Sequence, residues 1–365
     1  MRVIAHPVDK SLLAMTLALF VCGILVLGSA SMALAYKNLG SVSGYAARQL
    51  LIGGGVGLAA MAITSRIHYR VWRKLALPLL LISFGCLALL FMPHFGLSSG
   101  GATRWLRIGS LSFQPSELLK ISFIIYLASW LDARRREIAS VSYGMIPFTL
   151  MISVVAVFLV MQKDVGTLCV VVATAILLYF FGGGKTSQII ILVLLGIAAL
   201  LLLIQLEPYR AARFAVFFNP ATEPLGAGYQ IKQASLGIGS GGFWGTGFGR
   251  SVQKYNYLPE PMGDSIFAVF SEEMGFLGAT ALLSFFFLFY FKCLRVARSA
   301  PDVFGKLLAA GIATGIMSQA FINMAAISGL IPLTGIPLPF ISYGGTSLAM
   351  TLASVGILLN ISRYS

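Results

Sequence analysis

The chain has 365 residues, of which 58% are hydrophobic and 10% charged, with a formal net charge of +14 and a mean hydropathy of +0.89. A soluble domain carries about 25% charged residues, so the composition excludes a soluble enzyme and defines a polytopic membrane protein. The basic residues flank apolar runs, which assigns them to membrane topology and anionic lipid rather than to nucleic acid.

In chain order, apolar runs of about 20 residues, the length a bilayer-crossing helix needs, predict about ten transmembrane helices. They lie at roughly 11–36, 49–65, 75–93, 114–131, 143–162, 165–183, 187–206, 264–291, 304–326 and 343–361. The expected fold is all-α, a single domain over 1–365, with a large extracytoplasmic loop of about 207–264 between the seventh and eighth spans. The first run follows Arg2 and Lys10 and ends at Ala33-Leu34-Ala35. It outlasts the apolar region of a signal peptide, about 7–15 residues, and is read as an uncleaved first helix. Between the fifth and sixth runs stands Gln162-Lys163-Asp164-Val165-Gly166-Thr167. Asp164 is too costly to leave in lipid, so the chain is expected to turn a tight corner there.

Lys and Arg orient the spans. Arg66, Arg70, Arg73, Lys74, Arg134, Arg135, Arg136, Lys185, Lys292, Arg295, Arg298, Lys306 and Arg363 fall on one side, the cytoplasmic side by the positive-inside rule. An even number of spans then places both termini in the cytoplasm. Lys37, Arg48, Arg104, Arg107, Lys163, Arg210, Arg213, Lys232, Arg250 and Lys254 fall on the outer side, where orientation does not explain them. They either solvate loops and meet anionic lipid, or hold an anionic substrate such as a lipid-linked phosphate or pyrophosphate, which suits the bidentate guanidinium fork. Cys22, Cys86, Cys169 and Cys293 lie in or at the ends of apolar spans without metal-ligand spacing, and His6, His68 and His94 are scattered.

The polar stretch from Glu207 to Glu273 is the most informative in the chain. A loop this long in a membrane protein is usually functional. Asp264 is its only aspartate before the next helix, at the point where polar loop becomes apolar span. A carboxylate there suits a catalytic base at a membrane surface, and the helix dipole would favour its ionised form. The competing reading is that Asp264 only caps the helix. Gly237-Ile238-Gly239-Ser240-Gly241-Gly242 matches a dinucleotide fingerprint, but no strand precedes it. Gly184-Lys185-Thr186 resembles the end of a phosphate loop, but Tyr179 stands where the first glycine is required. The glycines at 237–249 are instead expected to let backbone lie flat against a membrane or a substrate.

Two further segments carry chemistry. Gly101-Ala102-Thr103-Arg104-Trp105-Leu106-Arg107 precedes Phe113-Gln114-Pro115-Ser116-Glu117, where Pro and Glu signal a helix start. Glu117 and Lys120 share a helix face inside the membrane boundary, either as an ion pair that fixes packing or as part of a polar cavity. In the tract from Gly335 to Ser347, preceded by Pro332, the prolines at 337 and 339 forbid a regular helix. Irregular backbone at membrane depth must be buried in protein or line a watery cavity, and this tract is expected to line the same outer cavity.

FQPSELLK, QKDVGT, GYQIKQASLGIGSGGFWGTGFG, YLPEPMGDSIFAVFSEEMGFLG and GIPLPFISYGGTS together resemble the SEDS family (shape, elongation, division and sporulation), which comprises FtsW, RodA and SpoVE proteins. The resemblance runs from about Asp9 to Arg363, in order. It implies ten transmembrane helices in the bacterial cytoplasmic membrane and a peptidoglycan glycosyltransferase that polymerises lipid II, releasing undecaprenyl pyrophosphate. It implies a class B penicillin-binding protein as partner, alongside other divisome or elongasome membrane proteins. It makes Asp264 the catalytic carboxylate. An α-linked donor giving a β-linked glycan would mean inversion by direct displacement. Two positions depart from the family pattern: Lys163 stands where Pro is usual, and Met262-Gly263 replaces a His-Thr-like pair. The ending LLNISR resembles division-type, FtsW-like members.

The substrate-binding residues expected beside Asp264 are Arg48, Arg104, Gln114, Glu117, Lys120, Asp164, Arg210, Arg213, Gln230, Gln233 and Ser342, with Mg or Mn as a helper cation. A transporter that flips lipid-linked precursors is the alternative, since broken helices and intramembrane ions suit one as well. The outward bias of the polar segments favours chemistry at one face. A non-catalytic scaffold leaves Asp264 and the outer arginines unexplained.

Overall fold

A computed structural model describes residues 6–92, 95–99, 102–109, 111–206, 208–219 and 226–364. Arg2, His94, Gly101 and Glu207 lie outside them. Helices occupy all ten predicted spans: α1 (Lys10–Leu39), α2 (Gly44–Arg66), α3 (Arg70–Leu89), α4 (Pro115–Ala133), α5 (Val141–Met161), α6 (Val165–Phe181), α7 (Thr186–Leu206), α10 (Ile266–Ser299), α11 (Val303–Ile327) and α12 (Gly345–Ser362). Eight are long and apolar enough to cross a membrane. The other two are α6, which is 17 residues long, and α4, which carries Glu117, Lys120 and Asp132.

The remaining elements are additions to the sequence reading. The large loop contains two helices, α8 (Pro208–Phe218) and α9 (Ala227–Ser240). Between α3 and α4 lies a small antiparallel sheet of β1 (Gly96–Ser99), β2 (Ala102–Ile108) and β3 (Leu111–Phe113), in the order β1-β2-β3. Leu97 pairs with Trp105 and Leu106 with Phe113.

The bundle is built around α11 and α12, whose apolar windows are 78% and 83% buried, against 6% for the peripheral α7. Small residues bring backbones together, as expected where lipid supplies no hydrophobic drive between helices. A Cβ on Gly356 of α12 would fall 1.9 Å from Thr64 Oγ1 of α2, and Thr64 donates to Ala353 O at 2.8 Å. The proline-rich tract 331–344 runs irregularly through this core. Its polar groups are met by helix side chains: Gln319 Nε2 donates to Pro337 O at 2.9 Å, and Gln49 Oε1 accepts from Gly344 N at 3.2 Å. Most of the tract is thus buried in protein, and only its exposed Gly335, beside Arg213 and Asp264, opens toward the expected outer cavity.

The chain ends meet at one end of the bundle. His6 N donates to Arg363 O at 2.7 Å, Lys292 pairs with Asp9 at 2.7 Å, and Asp302 takes both Tyr69 OH and Arg70 Nε at 2.9 Å. Arg70, Lys292 and Arg363 therefore share a side, as the charge count expects.

Helix α10 breaks at Gly275, with φ 65° and ψ −168°. The break leaves helical backbone groups without partners, and the glycine-rich loop supplies them. Thr246 N and Gly247 N donate to Glu272 O and Glu273 O at 3.0 Å, while Gly242 O accepts from Phe276 N at 2.8 Å. A Cβ on Gly275 would lie 2.3 Å from Gly245 N, so no other residue fits. Gly241 and Gly245 lie against the helix, whereas a Cβ on Gly239, Gly242 or Gly249 would meet open space, so part of the loop is left to face a membrane or a substrate.

Side chains seal the joint. Glu272 accepts from Val252 N at 2.9 Å and from Ser251 Oγ; Glu273 accepts from Ser29 Oγ at 2.6 Å and pairs with Lys254 Nζ at 3.0 Å. Lys254 has no exposed surface. It is a buried strut, not one of the outer solvated or substrate-binding cations it was expected to be. Lys254→Met should leave Glu273 buried and unpaired and cost about 3–5 kcal/mol, and Glu273→Gln should do the same to the lysine. The double substitution should recover much of the loss. Thermal unfolding of the purified variants measures this, and unaltered single variants would contradict the pairing.

Candidate active site around Asp264

Asp264 sits two residues before α10, with Ser265 at the cap position and Ile266 as the first helical residue. It does not cap the helix. Its carboxylate is faced instead by Gln230 of α9, whose Nε2 lies 3.3 Å and 3.4 Å from the two oxygens and donates to Ser265 Oγ at 2.9 Å. Arg213 of α8 approaches from another side: a Cβ on Gly335 would lie 3.8 Å from Arg213 Nη1 and 3.9 Å from Asp264 Oδ2. Gly335 has φ 71° and leaves the gap where these two groups converge.

The backbone around Asp264 is held from beneath. Asn323 Nδ2 on α11 donates to Asp264 O at 2.8 Å and to Ile336 O at 2.7 Å. Ser342 Oγ donates to Gly263 O at 2.7 Å and accepts from Leu338 N at 2.8 Å. Tyr343 N donates to Met262 O at 2.8 Å. The residues at 262–263, where the family pattern changes, are thus pinned through main-chain carbonyls, which any side chain leaves available.

Burial, and then the neighbouring Glu260 carboxylate, push the Asp264 carboxyl up from 3.8 to about 6, against the opposing pull of Arg213 and Gln230. The helix start was expected to do the reverse; desolvation outweighs it. Glu260 was not foreseen as a site residue. It occupies a left-handed turn (φ 48°) between Pro259 and Pro261, and Gly263 N and Ser265 N bond to its carbonyl at 2.9 Å and 3.3 Å. Four residues upstream of Asp264 in a double-proline turn, it could have been found from sequence. So could Asn323, which with Gln319 is one of two amides in a largely apolar span.

The other expected residues divide. Arg48 is exposed and lies near enough to Tyr343 to act on it electrostatically, and the adjacent Gln49 bonds Ser342 O at 3.4 Å. Gln233 is half-buried on α9, one turn beyond Gln230. Arg210 bonds Leu203 O at 3.2 Å and Val160 O at 3.4 Å, which ties it to the ends of α7 and α5 instead of to Asp264. Arg104 donates to Lys163 O. Asp164 caps α6 through Thr167 N at 3.1 Å and accepts from Ser116 Oγ of α4 at 3.3 Å. Gln114 stands at the head of α4, its carbonyl accepting from Glu117 N at 3.2 Å. The corner 162–167 is therefore a structural joint between α4, α5 and α6.

Glu117 and Lys120 are paired at 2.9 Å and border a cavity of about 40 Å³ among α4, α6, α11 and α12. The contact is that of an ion pair fixing helix packing; most of the cavity lining, such as Phe123, Leu127, Val171 and Ile316, is apolar. Lys120 also donates to Gln319 Oε1, and Gln319 and Asn323, one turn apart on α11, hold successive carbonyls of the tract, Pro337 O and Ile336 O. A polar chain thus runs from the buried pair to the backbone of Asp264. Among the described residues no group of three or more His, Cys, Asp or Glu is placed to hold a metal ion. Glu260 lies near enough to Asp264 to act on it electrostatically, and a single carboxylate together with a substrate phosphate suffices for Mg²⁺.

A bundle of apolar helices with a desolvated, arginine-faced carboxylate at the start of α10 defines a multi-pass membrane protein. A family model described as Cell cycle protein, for FtsW, RodA and SpoVE, matches residues 10–365, and the chain belongs to that family. Stage V sporulation protein E of Bacillus subtilis (strain 168) is 39% identical over 357 residues, 98% of this chain and 97% of its own. A probable peptidoglycan glycosyltransferase FtsW of Geobacter sulfurreducens is 41% identical over 360 residues, 97% and 95% of the two chains. A chain of a solved peptidoglycan synthase complex, described as coordinating polymerization and crosslinking, superposes with a TM-score of 0.80 at 29% identity, covering 98% of each chain.

A carboxyl whose folded value lies above its unfolded one stabilises the fold when protonated, and that contribution is lost as pH rises through about 6. Asp264→Asn, which carries no charge, should therefore be more stable than the parent at about pH 8 and should lose the advantage near pH 4. Thermal unfolding at the two pH values reads the sign. A variant less stable at the higher pH would refute the desolvation account.

Proposed function

We propose that the protein is a peptidoglycan glycosyltransferase that polymerises lipid II at the outer face of the cytoplasmic membrane. The observation that carries this is Asp264, a partly accessible carboxylate with its proton affinity raised to about 6, opposite Arg213. A general base works best with a value near the operating pH. In the reaction the 4-hydroxyl of the acceptor sugar attacks the anomeric carbon of the donor. Asp264 takes the hydroxyl proton, and the bond to undecaprenyl pyrophosphate breaks with its electron pair on the phosphate oxygen. Arg213 and the exposed Arg48 supply positive charge for that leaving group. Glu260, exposed beside Asp264, is the carboxylate that would hold a Mg²⁺ or Mn²⁺ ion, which would add neutralising charge to the pyrophosphate and leave Asp264 free to take the proton.

The names of the FtsW relative and of the synthase complex support the reaction class. The coordination of polymerization with crosslinking in that complex supports a class B penicillin-binding protein as partner. Relatives of both sporulation and division type accompany the FtsW-like ending. The ion pairs that gather both chain ends close the opposite side of the bundle, which supports chemistry at one face over flipping of precursors.

Asp264→Asn should insert normally and bind its partner, while purified lipid II is polymerised about 10²–10⁴-fold more slowly. Near-normal glycan synthesis by that variant would remove Asp264 as the base. Lipid II flipping by a variant inactive in polymerisation would favour the transporter. The outer placement of the site is checked by cysteine labelling at Lys232 and Tyr257, both exposed. A membrane-impermeant maleimide should reach them in intact cells; labelling only after permeabilisation would reverse the topology.

A further inference from the structure

The glycine-rich loop that mends α10 also presents large aromatic side chains outward. Phe243, Trp244 and Phe248 are 55%, 76% and 58% exposed. They are not on a loose segment: the backbone on either side is bonded to Glu272, Glu273, Phe276 and Leu277. Phe243 stacks on Phe276 with ring centres 6.0 Å apart, and Trp244 packs edge-on to Phe243 at 5.1 Å. Phe276 is the first exposed residue after the break, and Leu277, Phe287, Leu288 and Phe291 continue its apolar face down α10. The aromatic cluster is therefore continuous with a lipid-facing helix surface.

Depth follows from helix geometry. Phe276 and the exposed Arg295 are about 19 residues apart, or about 28 Å at 1.5 Å per residue. The hydrocarbon core is about 30 Å thick. With Arg295 at one boundary, Phe276 and the rings stacked on it reach the other. Trp with a neighbouring cation is the composition that headgroup regions favour, and exposed Arg250 lies back along Gly247 beside the cluster.

We propose that residues 241–250 form an interfacial anchor, in which Phe243, Trp244 and Phe248 enter the outer leaflet at the headgroup–acyl boundary and Arg250 meets lipid phosphates. The loop is fixed to the same helix that leads back to Asp264, so the anchor sets the depth of the carboxylate relative to lipid. The inference rests on the membrane-spanning fold and not on the catalytic reading.

The test uses 5-fluorotryptophan in the full chain, in nanodiscs of phosphatidylglycerol and phosphatidylethanolamine. The chain has four tryptophans, and Trp244→Phe identifies the resonance of interest. That resonance should be broadened by lipid carrying a nitroxide at acyl carbon 5, less by one at carbon 16, and little by a water-soluble gadolinium chelate. Combined Phe243→Ser and Phe248→Ser substitution should raise gadolinium broadening several-fold while the other three resonances keep their positions. Broadening by gadolinium alone would overturn the proposal and place the loop in water. Protection from both probes would also overturn it, in favour of a protein surface.

Discussion

The broken turn at Gly275 is the constraint on which the outer half of the molecule depends. A helix interrupted inside packed protein at the membrane boundary cannot leave its freed carbonyls and amides bare, because each buried group without a partner would cost about 1–3 kcal/mol. The loop 242–247 meets them, and two adjacent glutamates then collect the loop's amides, Ser29 and Lys254. Buried charges of this kind are a poor source of net stability, but they are unforgiving of an unpaired alternative. The joint therefore fixes register, and with it the path of the chain from Lys254 to Asp264.

That path ends in a carboxylate supported from two directions. Glycosyl transfer from a lipid carrier needs a base that is ionised near neutrality yet still holds a proton well. Burial and Glu260 raise the affinity of Asp264, and Arg213 keeps it from rising further. The main chain beneath is fastened by Asn323, Ser342 and Tyr343. A side chain one ångström out of place loses much of its rate, so these carbonyl tethers matter as much as the groups that face the carboxylate.

The sequence exposes the ten spans because their apolar runs match the bilayer, and the start of α4 because Pro115 and Glu117 mark it. It exposes the irregular tract 331–344 because proline cannot continue a helix. It hides what depends on tertiary partners. Lys254 in a polar loop looks solvated; its partner Glu273 lies on a helix that reads as apolar. Arg210 and Arg213 share one short helix and look equivalent, yet Arg210 binds carbonyls of α5 and α7, whereas Arg213 bonds Leu333 O of the irregular tract and reaches Asp264. The little sheet at 96–113 is built from short strands broken by Ser and Gly, with too little alternation to declare itself. The helix end beside Asp264 is visible in sequence and predicts a lowered carboxyl, whereas the desolvation that raises it is not visible there.

The pairings also impose an order on synthesis. Lys254 and Glu273 are only 19 residues apart, so the joint at Gly275 can close as soon as that stretch has left the ribosome. The supports of Asp264 come later: Asn323 lies 59 residues beyond it, and Ser342 lies 79 beyond Gly263. A nascent chain halted after α10 would already hold the carboxylate on its folded loop, with its backbone still untethered. The last segments to enter the membrane are thus the ones that tether the backbone of Asp264.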